Sequence, residues 1–237
     1  MKLRIDITYL IILTVAFILC TVVGTISHEY GHIVVAKYFG YETTLHYGSM
    51  SYYPKGYLED EDLEAFNNLT KDYWSTDYKT WPDSVKEKVT YYRNLLHDRY
   101  WNEKSNISFY VSLGGPIQTL LTGTAGLIIL FFRRKSIRNK GLQWVDWVAI
   151  FLGLFWLREI FNLVHSVSDE ILFPDGRWFG GDEFNISIHL NLWPGTVPIL
   201  LGTLGLFLSS FIVFKIVPRS LRLTFILSGL IGGLSGF

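Results

Sequence analysis

The stretch ITYLIILTVAFILCTVVGTIS, residues 7–27, runs 21 residues without a charge and leads directly into His28-Glu29-Tyr30-Gly31-His32. As a helix, 21 residues span roughly 32 Å, enough to cross a bilayer core about 30 Å thick. Working outward, residues 106–132 form a second charge-free run of 27 residues. Residues 147–157 and 160–168 are apolar stretches separated by Arg158-Glu159, residues 194–214 form a further span, and residues 223–237 a shorter one that closes the chain. Residues 51–105 differ. They are polar, rich in Tyr and Trp and mixed in charge, which predicts a water-exposed insertion, partly helical around residues 85–100. The fold class is therefore an all-α polytopic membrane protein of about five transmembrane helices.

Composition agrees and narrows the function. Apolar residues make up 49% of the chain and charged residues 18%, with a mean hydropathy of +0.26, where about a quarter charged is usual for soluble domains. Lys and Arg number 21 against 21 Asp and Glu, a balance that excludes a basic nucleic-acid binder. The single cysteine, Cys20, excludes a disulfide framework and a cysteine-rich zinc module. Lys2 and Arg4 precede the first apolar run as they would in a secretory signal, but the run is too long and no small-x-small cleavage site closes it. It is read as a retained helix that continues to about Phe39 and stops at Gly40.

Charge placement orients the spans. Basic residues cluster at Lys2 and Arg4, at Arg133-Arg134-Lys135 with Arg138 and Lys140, and at Lys215, Arg219 and Arg222, whereas residues 169–193 hold five acids and Arg177 alone as a base. With five spans the basic clusters fall on one face. The positive-inside rule then predicts a multi-pass protein of the cell membrane with a cytoplasmic N-terminus.

His28-Glu29-Tyr30-Gly31-His32 is the stretch that carries chemistry. Helical positions i and i+4 share a face, so both imidazoles can reach one metal ion, and the adjacent Glu29 can take a proton from water. In a chain of this composition the pattern arises by chance in about one case in 160, so a pair of structural histidines is the weaker reading. Ionisable groups attached to an apolar span are functional by default. Zinc suits the donors, because it lowers the pKa of a bound water to about 7 and polarises a carbonyl.

An apolar span running unbroken into H-E-Y-G-H-I-V-V-A-K-Y-F-G resembles the site-2 protease family of intramembrane zinc metalloproteases. The Tyr41 to Met50 segment resembles that family's membrane-associated extended stretch, and Gly114-Gly115-Pro116 its Gly-Pro element. The resemblance divides the chain into residues 1–50 (first helix, zinc motif and extended segment), an unmatched insertion at 51–105, and remaining helices at 106–237 with a metal-ligand loop at 169–193. It implies Zn2+ held by His28, His32 and an Asp, Glu29 as general base, and a membrane-protein or peptide substrate bound within the lipid bilayer. For the third ligand, Asp182 follows two flexible glycines and can open a helix, while Asp169 follows Asn162-Leu163 at the family's spacing and Asp175 sits in a Pro-Asp-Gly turn. Asp182 is preferred. Gly48, Gly115, Pro116 and Gln118 are the implied substrate-binding residues, with Gly48 permitting close approach of an added strand and Gly115-Pro116 breaking the second span. Gln118 stands where the family often has Asn. Two other readings fit the same residues: a catalytically inactive membrane binding module of the same fold, and a metal or proton transporter using His28, His32 and Arg158-Glu159. The latter pair is expected to face the bundle interior as a structural ion pair, and His165 to be a satisfied interior histidine. The family's site is described near the cytosol, whereas the charge clusters put the motif toward the opposite side.

Overall fold

A computed structural model describes residues 5–101, 106–174, 176 and 178–236. Lys2 and Arg4, the alternative ligand Asp175, Arg177 and the terminal Phe237 lie outside the described residues. The protein is an all-α polytopic membrane protein, with four helices long and apolar enough to cross a membrane and a shorter apolar helix at the end of the chain.

Helix α1, Ile7–Tyr38, is 32 residues long, which gives it a length of about 48 Å. The Asp6 side chain caps it by accepting from the Tyr9 amide at 3.1 Å. It ends where the sequence indicates. The Tyr41 amide donates to Ala36 O and the Gly40 amide to Lys37 O, with Gly40 at φ +83°, the paired bonds of a glycine-terminated helix. The chain then folds into a hairpin of β1, Glu42–His46, and β2, Ser49–Tyr53, joined through Tyr47 and Gly48, where Gly48 sits at φ +74°. The extended segment is thus a two-stranded antiparallel sheet, and β2 runs on to Tyr53, past the boundary that polarity alone suggests.

The insertion contributes α2, Glu61–Thr70, and α3, Asp83–Tyr100. Arg99 clamps them together, donating to Asp60 at 2.5 Å and to Asp62 at 2.8 Å, and the Tyr100 hydroxyl donates to Asp60 at 2.8 Å. Tyr57 packs against Trp101 with ring centroids 4.7 Å apart, tying the pair to the end of β2 through Tyr53.

Helix α4, Ile107–Lys140, returns antiparallel to α1 and runs unbroken through Pro116. The expected break at Gly115-Pro116 is therefore corrected: Pro116 lies inside the helix, in its third turn, and the loss of one backbone bond there is tolerated within a packed membrane bundle. The crossing of α1 and α4 is a glycine contact. A Cβ at Gly31 would lie 2.8 Å from the Gly114 carbonyl carbon, and a Cβ at Gly114 would lie 2.9 Å from His32 Cα. Only two facing glycines let the backbones approach so closely.

The third span combines α5, Trp144–Gly153, a 3-10 turn at Leu154–Trp156, and α6, Leu157–Leu172. A short α7, Gly181–His189, precedes α8, Thr196–Phe211, which continues through a π-helical turn at Ile212–Ile216. Helix α9, Arg222–Ser235, has 14 residues, or roughly 21 Å, short of a full upright crossing. It runs parallel to α1: the Asp6 amide donates to Thr224 Oγ1 at 3.2 Å, and the Ser228 hydroxyl donates to Leu10 O at 3.1 Å.

One end of the bundle holds the apolar core of Leu13, Phe17, Leu130, Ile150, Ile212 and Phe225. It is closed by Arg133, whose Nε donates to the fully buried Asp146 at 2.5 Å. The basic residues of 133–140 and 215–222 gather at this end. The histidine motif lies at the other.

Candidate metal centre

His28, Glu29 and His32 are 1%, 5% and 6% exposed, so the motif is the most polar part of the bundle interior. The helical spacing sets the two imidazoles 4.9 Å apart, centroid to centroid, with their planes at 78°. Each ring is held through its Nδ1. His28 Nδ1 meets Thr119 Oγ1 at 2.9 Å and His32 Nδ1 meets the Val111 carbonyl at 2.5 Å, both partners on α4. The Gly115 amide also lies 3.2 Å from His32 Nδ1, so two backbone groups of α4 hold this ring and leave Nε2 as the atom that can bind a metal. Buried metal-binding histidines are oriented in this way.

Both Nε2 atoms point at Asp182. Its Oδ2 lies 3.2 Å from His28 Nε2 and 3.1 Å from His32 Nε2. Gly181, at φ +77°, turns the chain into α7 so that Asp182 falls in its first turn. The neighbouring Glu183 is buried and accepts from Asn162 Nδ2 of α6 at 3.1 Å, while the Ser187 hydroxyl accepts from the Val197 amide at the start of α8 at 3.1 Å. A nine-residue helix is thereby fixed between two spans. Asp169 is not among the converging ligand residues, although it borders the cavity over them. It sits exposed on α6, 3.1 Å from the equally exposed His165, which is not the satisfied interior residue expected of it.

His28, His32 and Asp182 therefore form a group that can hold a metal ion, their ligand atoms all within 4.8 Å of one another. The donor set fits such an ion, being two imidazoles and one carboxylate. The floor beneath them fits as well. A Cβ at Gly115 would strike both Nε2 atoms and lie 2.6 Å from His28 Cδ2, so the glycine leaves open the space at the converging nitrogens.

A cavity of about 1080 Å³ opens over the site, bordered by Glu29, Arg158, His165 and the hairpin residues Gly48, Ser49, Met50 and Tyr52. Glu29 faces it beside the histidines, with Arg158 Nη2 3.8 Å from its Oε1. Arg158 and Glu159 do face the interior, but not each other; Glu159 is buried on the side of Glu183. Of the residues expected to contact substrate, Gly48 lines the cavity and Gly115 lies under the metal-binding nitrogens. Pro116 is buried within α4 and borders no part of the cavity. Gln118 does not border it either, because its amide donates along the helix to Thr122 Oγ1 at 3.0 Å. Thr119 and Val111 are the partners that sequence reasoning missed as members of the site, while Arg158, expected there only as an interior structural or transport residue, faces Glu29. The one available signal was that Thr119 lies a helical turn beyond Gly115, on the same face.

The fold and site together define a polytopic helical membrane protein in which two buried histidines and a half-buried aspartate form a group able to hold a metal ion. No family model, no curated protein and no solved structure matches the chain.

Proposed function

We propose that the protein is an intramembrane zinc endopeptidase, resembling site-2 proteases, that cleaves membrane-protein or peptide substrates. One observation carries the reading: Glu29 lines a large cavity beside two histidines and an aspartate whose donor atoms converge. His28, His32 and Asp182 would hold the zinc, which when bound supplies Lewis acidity toward a water and a peptide carbonyl.

The chain's own groups supply the rest. Glu29 takes the proton of the attacking water and returns it to the leaving amide nitrogen, and Arg158 at 3.8 Å gives its carboxylate a fixed partner and orientation. A helical substrate hides its carbonyls in i→i−4 bonds and must be unwound before attack. Strand β2 borders the cavity and, among the described residues, pairs with β1 along only one edge. Its other edge can receive an unwound peptide by main-chain hydrogen bonds.

Membrane orientation belongs to the same proposal. The basic clusters that share one end of the bundle support a cytoplasmic N-terminus in the cell membrane. The metal group then belongs to the extracytoplasmic side.

Co-expression of the wild type and Glu29→Gln with a panel of single-span membrane proteins tests the function. Gln keeps the shape and the metal ligands but cannot accept a proton, so cleavage should fall by about 10²–10⁴-fold with zinc content unchanged. Cleavage by Glu29→Gln at the wild-type rate would remove the general base. Zinc binding by the wild type with no cleavage product from any substrate would favour an inactive binding module.

A further inference from the structure

A second cavity, about 370 Å³, lies beside the first and has walls of a different kind. Phe17 and Gly24 of α1, Phe155 and Phe161 at the third span, and Leu230 and Gly233 of α9 make it almost wholly apolar. It is joined to the candidate centre. Arg158 and Phe161 border both cavities, and Thr119, the partner of His28, borders the second.

Polar atoms without partners lie on its boundary. Thr25, 2% exposed, lines the cavity, and its Oγ1 has no hydrogen-bond partner among the described residues; Arg158 Nε is likewise buried and unpartnered. Thr25 also stands next to the hairpin turn, with its Cγ2 3.9 Å from where a Cβ on Gly48 would sit. Polar atoms left buried without partners are costly, so each calls for a polar group that could satisfy it.

Resting on the protease reading above, we propose that this second cavity is a specificity subsite that takes one large apolar side chain of the substrate, next to the bond that Glu29 attacks. The unwound main chain lies in the polar cavity along β2 and finds Thr25 Oγ1 at the junction. The adjoining side chain turns into the apolar slot between α1, α6 and α9. Membrane-spanning substrates are rich in Leu, Ile and Phe, so occupants of the right chemistry are abundant. Such a side chain exchanges lipid for the walls of Phe17, Phe155 and Phe161, so the slot selects by shape and packing rather than by transfer from water.

Gly233 gives access to a test. A Cβ there meets nothing within 4 Å, its φ is ordinary for a side chain, and Gly233 lines the slot, so Gly233→Leu adds bulk at the slot wall with no clash at Cβ. Phe155→Ala enlarges the slot instead. The zinc-loaded wild type and both variants are reconstituted in phosphatidylcholine vesicles with a library of synthetic membrane-spanning peptides, cut sites are read by mass spectrometry, and zinc stoichiometry is measured in parallel. The wild type should favour Leu, Ile or Phe at one position flanking the cut. Gly233→Leu should lose that preference by about tenfold or more relative to Ala, as expected when a hydrophobic pocket is obstructed, while Phe155→Ala should shift it toward Phe and Trp. All proteins should hold the same zinc. Unchanged cut-site preferences in both variants overturn the subsite. So does a Gly233→Leu variant that slows every peptide equally, the result expected if a lipid acyl chain fills the slot. A zinc-loaded wild type that cuts no peptide overturns the protease reading itself.

Discussion

Replacing Gly115 by alanine should empty the metal centre while leaving the bundle folded. The added methyl would strike both ligating nitrogens and lie 2.6 Å from His28 Cδ2, about 1 Å or more inside the usual contact distance for carbon. Helix α4 cannot retreat to make room, because one residue earlier Gly114 already packs its backbone on that of Gly31. The imidazoles must move. Turning His28 away breaks its bond to Thr119, worth about 0.5–1.5 kcal/mol, and overpacking adds about 1–3 kcal/mol. Because both ligands shift together, zinc affinity should fall by at least the roughly 10–100-fold seen when a supporting residue of a metal site is lost. Gly123→Ala is the control. Its Cβ would lie 2.5 Å from Trp156 Cδ1, an equal crowding on the same helix, but about 12 Å further along it. Zinc affinity is read by competition with a chromophoric chelator in detergent, and thermal unfolding of the metal-free proteins gives the stability cost. Both variants should lose stability, and only Gly115→Ala should lose zinc. Wild-type zinc affinity in Gly115→Ala, or an equal loss in Gly123→Ala, would refute the role assigned to the glycine floor.

Asp182→Ala should lose zinc on dialysis against a weak chelator while Asp169→Ala retains it; the reverse result would transfer the ligand role to Asp169 and its Asn162-Leu163 context. Hydrogen bonds from Arg99 and Tyr100 hold the Asp60 carboxyl down at about 2, below its ordinary 3.8. A depressed acid contributes stability that is present above the ordinary value and lost as pH falls through the folded one. Hydrogen exchange in α2 and α3 should therefore stay slow down to about pH 4 and rise toward pH 2, and Arg99→Ala should show fast exchange already at neutral pH; equal protection in wild type and variant would refute the clamp. For orientation, exposed Asn139 and Asn185 lie at opposite ends of the bundle, the first beside Arg138 and the second within α7. In a Cys20→Ser background, Asn185→Cys should react with an impermeant thiol reagent in intact cells and Asn139→Cys should not, and the opposite pattern would invert the topology.

Much of this architecture is legible in one dimension because lipid and charge are read in one dimension. A 21-residue charge-free run needs no partner to be recognised as a span, the H-E-x-x-H spacing needs only the helical period, and Gly180-Gly181 before Asp182 announces a sharp turn into a helix start. What escaped depends on which face of a helix meets which neighbour. In a soluble helix the apolar stripe gives that away, but α1 is apolar all round, so no moment distinguishes the lipid face from the buried one. The alignment of α1 on α4 was unreadable for that reason, and with it the roles of Thr119 and Val111. The same limit explains Arg158 and Glu159. Adjacent residues on a helix point about 100° apart, so an Arg-Glu neighbour pair in sequence serves two different partners in space, Glu29 and the Glu183 side of α7.

The glycines carry the information that periodicity lacks. Gly31 occupies a variable position of the H-E-x-x-H pattern, where metal ligation would set no requirement, yet it is the point at which α1 touches Gly114. Gly115 then follows under the ligating nitrogens, and Thr119 and Val111, each one turn away along α4, reach the two Nδ1 atoms. A single close crossing thus aligns four contacts. Had either facing residue carried a side chain, the backbones would separate and the Nδ1 bonds that set both rings would lengthen together. The motif alone puts two imidazoles on one face of a helix. The glycine crossing makes them a preorganised pair, with their free nitrogens turned toward Asp182.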